Sequence, residues 1–460
     1  MSERVSPHGQ WSTRWAFVMA ATGSAVGLGN IWKFPYITAE NGGGAFVLLY
    51  LLCVLFITLP VMVAEVLLGH LGKRNPIDAM ADLARDAGVS RNWGLIGLSG
   101  VIAGFLILSY YSVIAGWTMV YVGHAGGGSF NAATVEQVTG LFKNLLASPS
   151  QLLFWHTVFI GITVWVVARG VEAGLEKAIS LLMPGLFLLL AGLVVYAATL
   201  PAFADGAAFL LQPDFSKLTA KAVLAALGQA FFTLSLGMGA IMVYGAYLPA
   251  GSSVGRTSLM VAMADTGVAL MAGLVIFPLV FEYGLEPAQG PGLIFLTLPN
   301  AFAQMPGGQW VGGAFFLLLL FAAWSSAISL IEPAVAWMVE RFGWSRLKAT
   351  VFGGVCSWAV GILTVISFNL AADFKPLGGM NMFELIDFLT ANIMLPIGGM
   401  AIAIFVGWRM VPAARDQSMA DLPPVMARIW LWSIRVVAPI AVLVVMITAI
   451  TNALGIDLLQ

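Results

Sequence analysis

Gly23–Pro35 reads GSAVGLGNIWKFP. It lies within an apolar run, residues 14–38, close to the roughly 20 residues that cross a bilayer. Yet Gly23, Gly27 and Gly29 crowd into seven positions, and each weakens a helix by about 1 kcal/mol relative to alanine. A helix broken inside lipid must bury its freed backbone groups in protein or line a wet cavity with them. Freed carbonyls suit a bare cation, and the amides of the restarted helix suit an anion. On this stretch alone, close helix packing through small residues is an equal alternative.

The rest of the chain gives the break its setting. Of 460 residues, 60% are hydrophobic and 9% charged, against about 25% charged in soluble domains, so the chain is read as a polytopic membrane protein. Its net charge of −1 gives no sign of a nucleic-acid partner. Cys53 and Cys356 lie in separate apolar runs, which argues against a disulfide framework or metal cluster. The first thirteen residues are polar and lack an apolar core or cleavage site, so no secretory signal is read there.

Further apolar runs fall at 43–71, 93–124, 152–169, 175–200, 222–248, 257–284, 309–339, 347–370, 383–410 and 426–454. Together with 14–38 they make eleven expected transmembrane helices in an all-α fold. With the N-terminus inside, sixteen of the 21 Lys and Arg fall on the cytoplasmic side, Arg14, Lys73, Arg74 and Arg346 among them. Lys143, Lys217, Lys221 and Lys375 fall outside, and Lys33 lies within the first run. That bias places the N-terminus in the cytoplasm and the C-terminus outside.

The expected organisation is a cytoplasmic tail at 1–13, helices 1–5 at 14–200, helices 6–10 at 222–411, and helix 11 at 426–454. Five crossings per half insert the second half upside down relative to the first. Run 6, the counterpart of run 1, is also interrupted, at Thr233–Gly239, TLSLGMG. Matched broken helices in two inverted halves point to a binding site at the membrane midplane.

Four strings resemble the neurotransmitter:sodium symporter family: TRWAFVMAATGSAVGLGNIWKFP in run 1, NGGGAF at Asn41–Phe46, GQAFFTLSLGMGA at Gly228–Ala240, and FAAWSSAISLIEP at Phe321–Pro333. The likeness covers nearly the whole chain and implies a leucine-transporter-like fold, a five-plus-five inverted repeat with helices 1 and 6 broken. It further implies a substrate carboxylate held by the amides of Leu28 and Gly29 and by the Tyr111 hydroxyl. The amino group would meet carbonyls of Ser24, Phe232, Thr233 and Ser235. Ser24 replaces an asparagine of bacterial members, which leaves its side-chain role open. Ala25, Ile107, Tyr111, Phe232, Met238, Ser326 and Leu330 would complete the pocket.

Monoamine carriers of the family have aspartate at the place of Gly27, and GABA and taurine carriers have glycine at the place of Leu28. Gly27 leaves room for the substrate's own carboxylate, and Leu28 shortens the cavity. The pair favours an α-amino acid. Methionine at 238, where a bacterial relative has phenylalanine, adapts to shape and suits bulky hydrophobic or aromatic side chains.

The resemblance implies two sodium sites. The first would use Ala25, Asn30, Thr233 and Asp265 with the substrate carboxylate, so that ion and substrate raise each other's affinity. The second would use Gly23, Val26, Ala322, Ser325 and Ser326. Oxygen ligands suit such a hard cation. Asp265 stands where many relatives have asparagine, and Ala269 where others have a glutamate or serine. The Asp265 carboxylate would then supply the charge that chloride supplies elsewhere, so chloride is not expected to be required. A proton on Asp265 is the rival reading, because a buried carboxylate needs a partner.

Lys33 and Asp387 match an outer gate, with Tyr111 and Phe232 as its aromatic lid. Lysine lacks the guanidinium fork, so the pairing is expected to be loose. Glu340 and Tyr247 match an inner gate, but His8 stands where an arginine is usual; Arg4 is the other cation in reach. A His8–Glu340 contact would weaken as the imidazole loses its charge at higher pH. Glu65 is read as accepting backbone bonds from broken helix 6, with Gln229 in the same network. Gly174 and Pro184 resemble a helix-unwinding motif, or an ordinary proline kink.

No Ser/His/Asp or phosphate-loop arrangement is present, so no enzyme is expected. Sodium-coupled import of an α-amino acid is the reading. Its rivals are carriage of GABA, taurine or another ω-amino acid, and a sensor or leak channel on the same scaffold. The short tails favour a prokaryotic inner membrane.

Overall fold

A computed structural model describes residues 6–131, 133–286, 290, 292–419 and 422–453. Among these the chain is helical throughout, with two isolated bridges, Gly43 to Pro213 and Leu377 to Met380, and no strand. The elements that build the centre are α1 (Arg14–Ala25), α2 (Phe34–Glu40), α3 (Gly44–Gly72), α4 (Arg91–Gly126), α5 (Val171–Ala197), α6 (Ala220–Thr233), α7 (Ala240–Ala246), α8 (Val254–Glu282), α9 (Gly308–Phe342), α10 (Met382–Arg409) and α11 (Pro424–Ala453).

Nine helices among the described residues are long and apolar enough to cross a membrane. Runs 14–38 and 222–248 are not among them because each is interrupted. α1 ends after 12 residues and α6 after 14, both short of the roughly 20 a bilayer needs. The eleven expected crossings would be those nine with the two interrupted segments added.

α1 starts at Thr13, whose hydroxyl accepts from the Ala16 amide at 3.1 Å, satisfying one of the orphan donors of a first turn. It runs to Ala25 and stops where Val26 turns extended (ψ 111). α4 and α9 form the most extensive helix pair and pass beside both breaks. α7 lies on α3, where a side chain at Gly245 would stand 2.7 Å from the Val66 carbonyl. Such close approach is how small residues join helices without a hydrophobic drive. On the outside, Leu181, Leu188 and Val195 of α5, spaced seven apart, are 73%, 76% and 67% exposed. An apolar stripe of that kind belongs against lipid.

The two breaks use glycine differently. In the first, Gly23, Gly27 and Gly29 all keep negative φ; their value is clearance. A Cβ would meet Met183 Sδ at 2.9 Å from Gly23, Ser326 Oγ at 2.7 Å from Gly27, and the Phe232 ring at 2.9 Å from Gly29. In the second, Ser235, Gly237 and Gly239 have φ of 53°, 79° and 78°, the left-handed region that glycine enters without steric cost.

Candidate functional site

Between the breaks lies a cavity of about 40 Å³ lined by Ser24, Ala25, Gly27, Leu28, Gly29, Ile107, Tyr111, Phe232, Ser235, Met238, Ser326 and Leu330. Of the residues expected to touch substrate, all but Thr233 line it; Gly27 joins them. The volume holds a few waters. Directly beside it a vestibule of about 330 Å³ is lined by Leu28, Trp32, Lys33, Tyr36, Tyr110, Tyr111, Phe232, Glu384 and Asp387 among others. Leu28, Tyr111 and Phe232 line both spaces and form the partition between them. Joined, the two would make a space the size of small-molecule pockets, about 300–1,000 Å³.

Side chains of the break itself and of neighbouring segments take up the backbone groups the first break frees. The Gly27 amide donates to Asn30 Oδ1 at 3.1 Å, and the Leu28 amide points to the Tyr111 hydroxyl at 3.4 Å. Gln229 Nε2 donates to the Gly29 carbonyl at 3.0 Å. Ser235 Oγ donates to the Ser24 carbonyl at 3.0 Å. The Ser24 hydroxyl donates to Ser329 Oγ at 2.8 Å.

Asn30, Thr233 and Asp265 form one buried cluster. Asn30 Nδ2 lies 2.8 Å from Asp265 Oδ1 and 2.9 Å from Thr233 Oγ1, and Thr233 Oγ1 donates to Asp265 Oδ2 at 2.9 Å. Half a turn of the Asn30 amide would exchange its nitrogen for its oxygen there, giving up the bond from the Gly27 amide to Oδ1. The donors are then all oxygens with one carboxylate, a set that fits a hard monovalent cation. At the expected second site, Ser326 Oγ lies 3.3, 3.3 and 3.1 Å from the carbonyls of Gly23, Ser24 and Val26. Ser325 Oγ lies 3.1 Å from the Ala322 carbonyl, and its Cβ would be 3.2 Å from a side chain at Gly23. These ligands are hydroxyls and carbonyls of α1 and α9, which again suit such an ion.

The outer pair is not in direct contact. Lys33 Nζ sits 4.1 Å over the centre of the Phe232 ring, a cation–π arrangement, while Asp387 Oδ1 accepts from the Tyr110 hydroxyl at 2.9 Å. On the arginine-rich side, His8 Nε2 lies 3.0 Å from Glu340 Oε1. Glu340 also accepts from Arg74 Nε at 2.9 Å and from the Asn75 amide at 2.7 Å. A carboxylate has no proton to give, so His8 Nε2 carries the hydrogen. Trp11 Nε1 donates to the Tyr244 carbonyl at 3.1 Å, and Ser12 bonds to the Glu176 carboxylate. Arg4 lies outside the described residues.

One expectation needs correction. Gln229 does not share a network with Glu65: it reaches the Gly29 carbonyl of the first break, whereas Glu65 Oε2 accepts from the Gly237 amide of the second at 3.0 Å. They sit at different ends of the centre because Gln229 precedes the break of α6 and Gly237 lies within it. The Tyr247 hydroxyl donates to Glu332 Oε1 at 2.7 Å. Glu332, fully buried, accepts from the two terminal guanidinium nitrogens of Arg346, at 3.0 and 2.5 Å. Sequence reading overlooks Glu332, Arg346, Arg74, Ser329 and Tyr110 as site residues. A carboxylate inside the apolar string FAAWSSAISLIEP is the available signal for the first.

The sequence profile of the Sodium:neurotransmitter symporter family matches residues 8–133 and 129–458. The chain belongs to that family. The sodium-dependent transporter YhdH of Bacillus subtilis is 37% identical over 444 residues, 96% of this chain and 97% of that protein. The sodium- and chloride-dependent creatine transporter 1 of Bos taurus is 25% identical over 446 residues, 84% of this chain and 68% of that protein. The crystal structure of MhsT in complex with L-phenylalanine shares 42% identity and a TM-score of 0.89, over 96% of this chain and 99% of that one. This family member is an integral membrane protein with the leucine-transporter fold, broken at the two segments described.

Proposed function

We propose that this protein is a sodium-coupled symporter that imports α-amino acids with bulky hydrophobic or aromatic side chains by alternating access. The observation that carries the reading is the cavity between the two breaks. At one end the Leu28 amide donates to the Tyr111 hydroxyl at 3.4 Å, an amide and a hydroxyl side by side where a carboxylate would sit. At the other are Ile107, Met238 and Leu330, an apolar lining for a side chain. The Asp265–Asn30–Thr233 cluster lies behind the carboxylate end and would hold the first sodium ion. Gly23, Val26, Ala322, Ser325 and Ser326 would hold the second. The ions would supply positive charge that binds the carboxylate and ties α1 to α9. The L-phenylalanine bound to MhsT in its crystal structure is a ligand of the chemistry proposed for this chain.

Asp265 brings its own negative charge to the first site, so transport proceeds without chloride. The arginine-rich side is cytoplasmic, the C-terminus faces outward, and the membrane is a prokaryotic inner membrane. Residues 14–200 and 222–411 are the two inverted halves. Lys33 on Phe232 closes the outer side, and the His8–Glu340–Arg74 cluster closes the inner one. Leu28 limits the cavity against longer ω-amino acids.

Purified protein in liposomes tests this. An inward sodium gradient should drive concentrative uptake of labelled L-phenylalanine with sodium gluconate as with sodium chloride, competed by leucine and tryptophan. Binding without accumulation would indicate a sensor, equilibration alone a channel, and competition by GABA or taurine in preference to leucine an ω-amino acid carrier.

A further inference from the structure

Among the described residues, two that are not glycine hold positive φ: Ser235, in the second break, and Lys73, at the end of α3. Lys73 has φ 56° and ψ 22°, the left-handed place just past a helix that glycine ordinarily takes. A side chain there is strained, and such strain persists where the surroundings hold it. Lys73 is also only 6% exposed.

What the side chain reaches is the far end of α7. Lys73 Nζ donates to the Leu248 carbonyl at 2.6 Å. It lies 3.3 Å from His70 Nδ1, which accepts because an ammonium can only donate. The last carbonyls of a helix have no partner within it, and those of α7 lie in a segment, 241–248, that is buried throughout. The Trp11 amide donates to the Tyr247 carbonyl at 3.0 Å, and Trp11 Nε1 to the Tyr244 carbonyl at 3.1 Å. The end of α7 is thus capped from two sides, by the segment before α1 and by the end of α3.

The two caps differ in what they belong to. α3 and α7 meet at backbone distance: a side chain at Gly69 would run into the Met242 carbonyl, and one at Gly245 would stand 2.7 Å from the Val66 carbonyl. Lys73 extends a contact that already joins its two helices. Trp11 belongs to the N-terminal segment, whose His8 and Ser12 bond to Glu340 and Glu176 and would release them in the proposed opening of the inner side.

We infer that Lys73 is a positioning residue of the inner gate, whose ammonium holds the end of α7 on α3 when the N-terminal segment, with Trp11, lets go. α7 follows directly on Met238 and Gly239 of the second break, so a held far end keeps in place the cavity wall that Met238 forms. The inference rests on the transport reading above.

The test is a double-mutant cycle on full-length protein in detergent, read by equilibrium binding of labelled L-phenylalanine at saturating sodium. Trp11→Phe keeps a buried ring and removes its N–H donor. Lys73→Gly removes the ammonium and the φ strain together. Each cap backs the other, so each single variant should bind within about threefold of wild type. The double variant should lose at least about fivefold more affinity than the product of the single losses. Trp11→Phe with Arg85→Met, which removes a cation bonded to Asp82, should give losses that multiply to within about twofold. Lys73→Met keeps the φ strain without the ammonium; it should melt below Lys73→Gly yet couple to Trp11→Phe as strongly, and it stands in if the glycine double variant does not fold. Losses that multiply in the Lys73 cycle, or coupling no greater than with Arg85→Met, would overturn the tether. So would coupling that follows the melting temperature instead of the ammonium. Wild-type protein that binds no L-phenylalanine in sodium would defeat the transport reading instead.

Discussion

Gly27→Ala sets one methyl group against two functional hydroxyls. The new carbon would stand 2.7 Å from Ser326 Oγ and 3.0 Å from Tyr111 Oη, where comfortable contact begins near ~3.5 Å. Both oxygens must retreat by about half an ångström or more to reach that contact. The Leu28–Tyr111 bond is already 3.4 Å long and has no slack before it ceases to be one. Tyr111 therefore leaves its place at the carboxylate end. A hydrogen bond to a charged group contributes about 1.5–3 kcal/mol, which corresponds to a loss of about 10- to 150-fold in affinity. Binding of labelled L-phenylalanine at saturating sodium measures it, with a thermal melt to establish folding. Gly228→Ala is the control, since a Cβ there meets nothing within 4 Å. Gly27→Ala that folds and binds within about twofold of wild type would refute the geometry.

Asp265→Asn removes the carboxylate that Asn30 and Thr233 hold; binding should fall at least about tenfold without chloride, as expected for one charge-assisted contact, and recover in part with chloride, a response that uptake in gluconate and chloride media would reveal. Glu332→Gln leaves the Arg346 guanidinium without its counter-charge, which costs about 3–5 kcal/mol for a buried pair, and pairing it with Arg346→Met should restore much of the melting temperature; an unchanged single variant would count against the pair. Gly237→Ala forces a side chain into φ 79° and onto the Leu395 carbonyl, so it should lower stability by at least about 1–2 kcal/mol, seen as a lower melting temperature. Burial pushes the Lys73 ammonium down to about 8, against about 10.4 in the unfolded chain. Between those values the unfolded state binds more protons, so the contribution of Lys73 to stability rises with pH. The melting difference between wild type and Lys73→Met should move in favour of wild type from pH 7 to 9.5, and a constant difference would exclude the effect.

Much of the centre is readable in one dimension because membrane sequences are so constrained. Glycines and polar residues inside an apolar run are costly, so Gly23–Asn30, Thr233–Gly239, Glu65 and Asp265 stand out from their surroundings. Once the register of α1, α6 and α9 is fixed, Ser325 and Ser326 face Gly23 and Val26 without further information. Pairings between distant positions are another matter. Asp387 meets Tyr110 rather than Lys33. Lys33 and Tyr110 lie on different segments that border the same vestibule, and only packing selects between them. Arg74 illustrates a different loss. Counting it among the charges that orient the chain hides its three carboxylate partners, Asp78, Asp82 and Glu340.

The two breaks look alike as sequence, each a cluster of small residues in an apolar run, but they hold their shape by opposite means. The second carries its shape in its own dihedral angles, with three residues at positive φ and one carboxylate, Glu65, receiving the Gly237 amide. The first has no such residue, and borrows its shape from Tyr111 of α4, Gln229 of α6 and Ser326 of α9. Moving α9 away from α1 would strip one hydroxyl from three carbonyls together, whereas moving α3 from α7 would free one carboxylate. The first break is therefore the one whose geometry reports where its neighbours stand. Under the proposed alternating access the site needs one conformable wall and one fixed wall, and glycine used for clearance would supply the former while glycine used for φ would supply the latter.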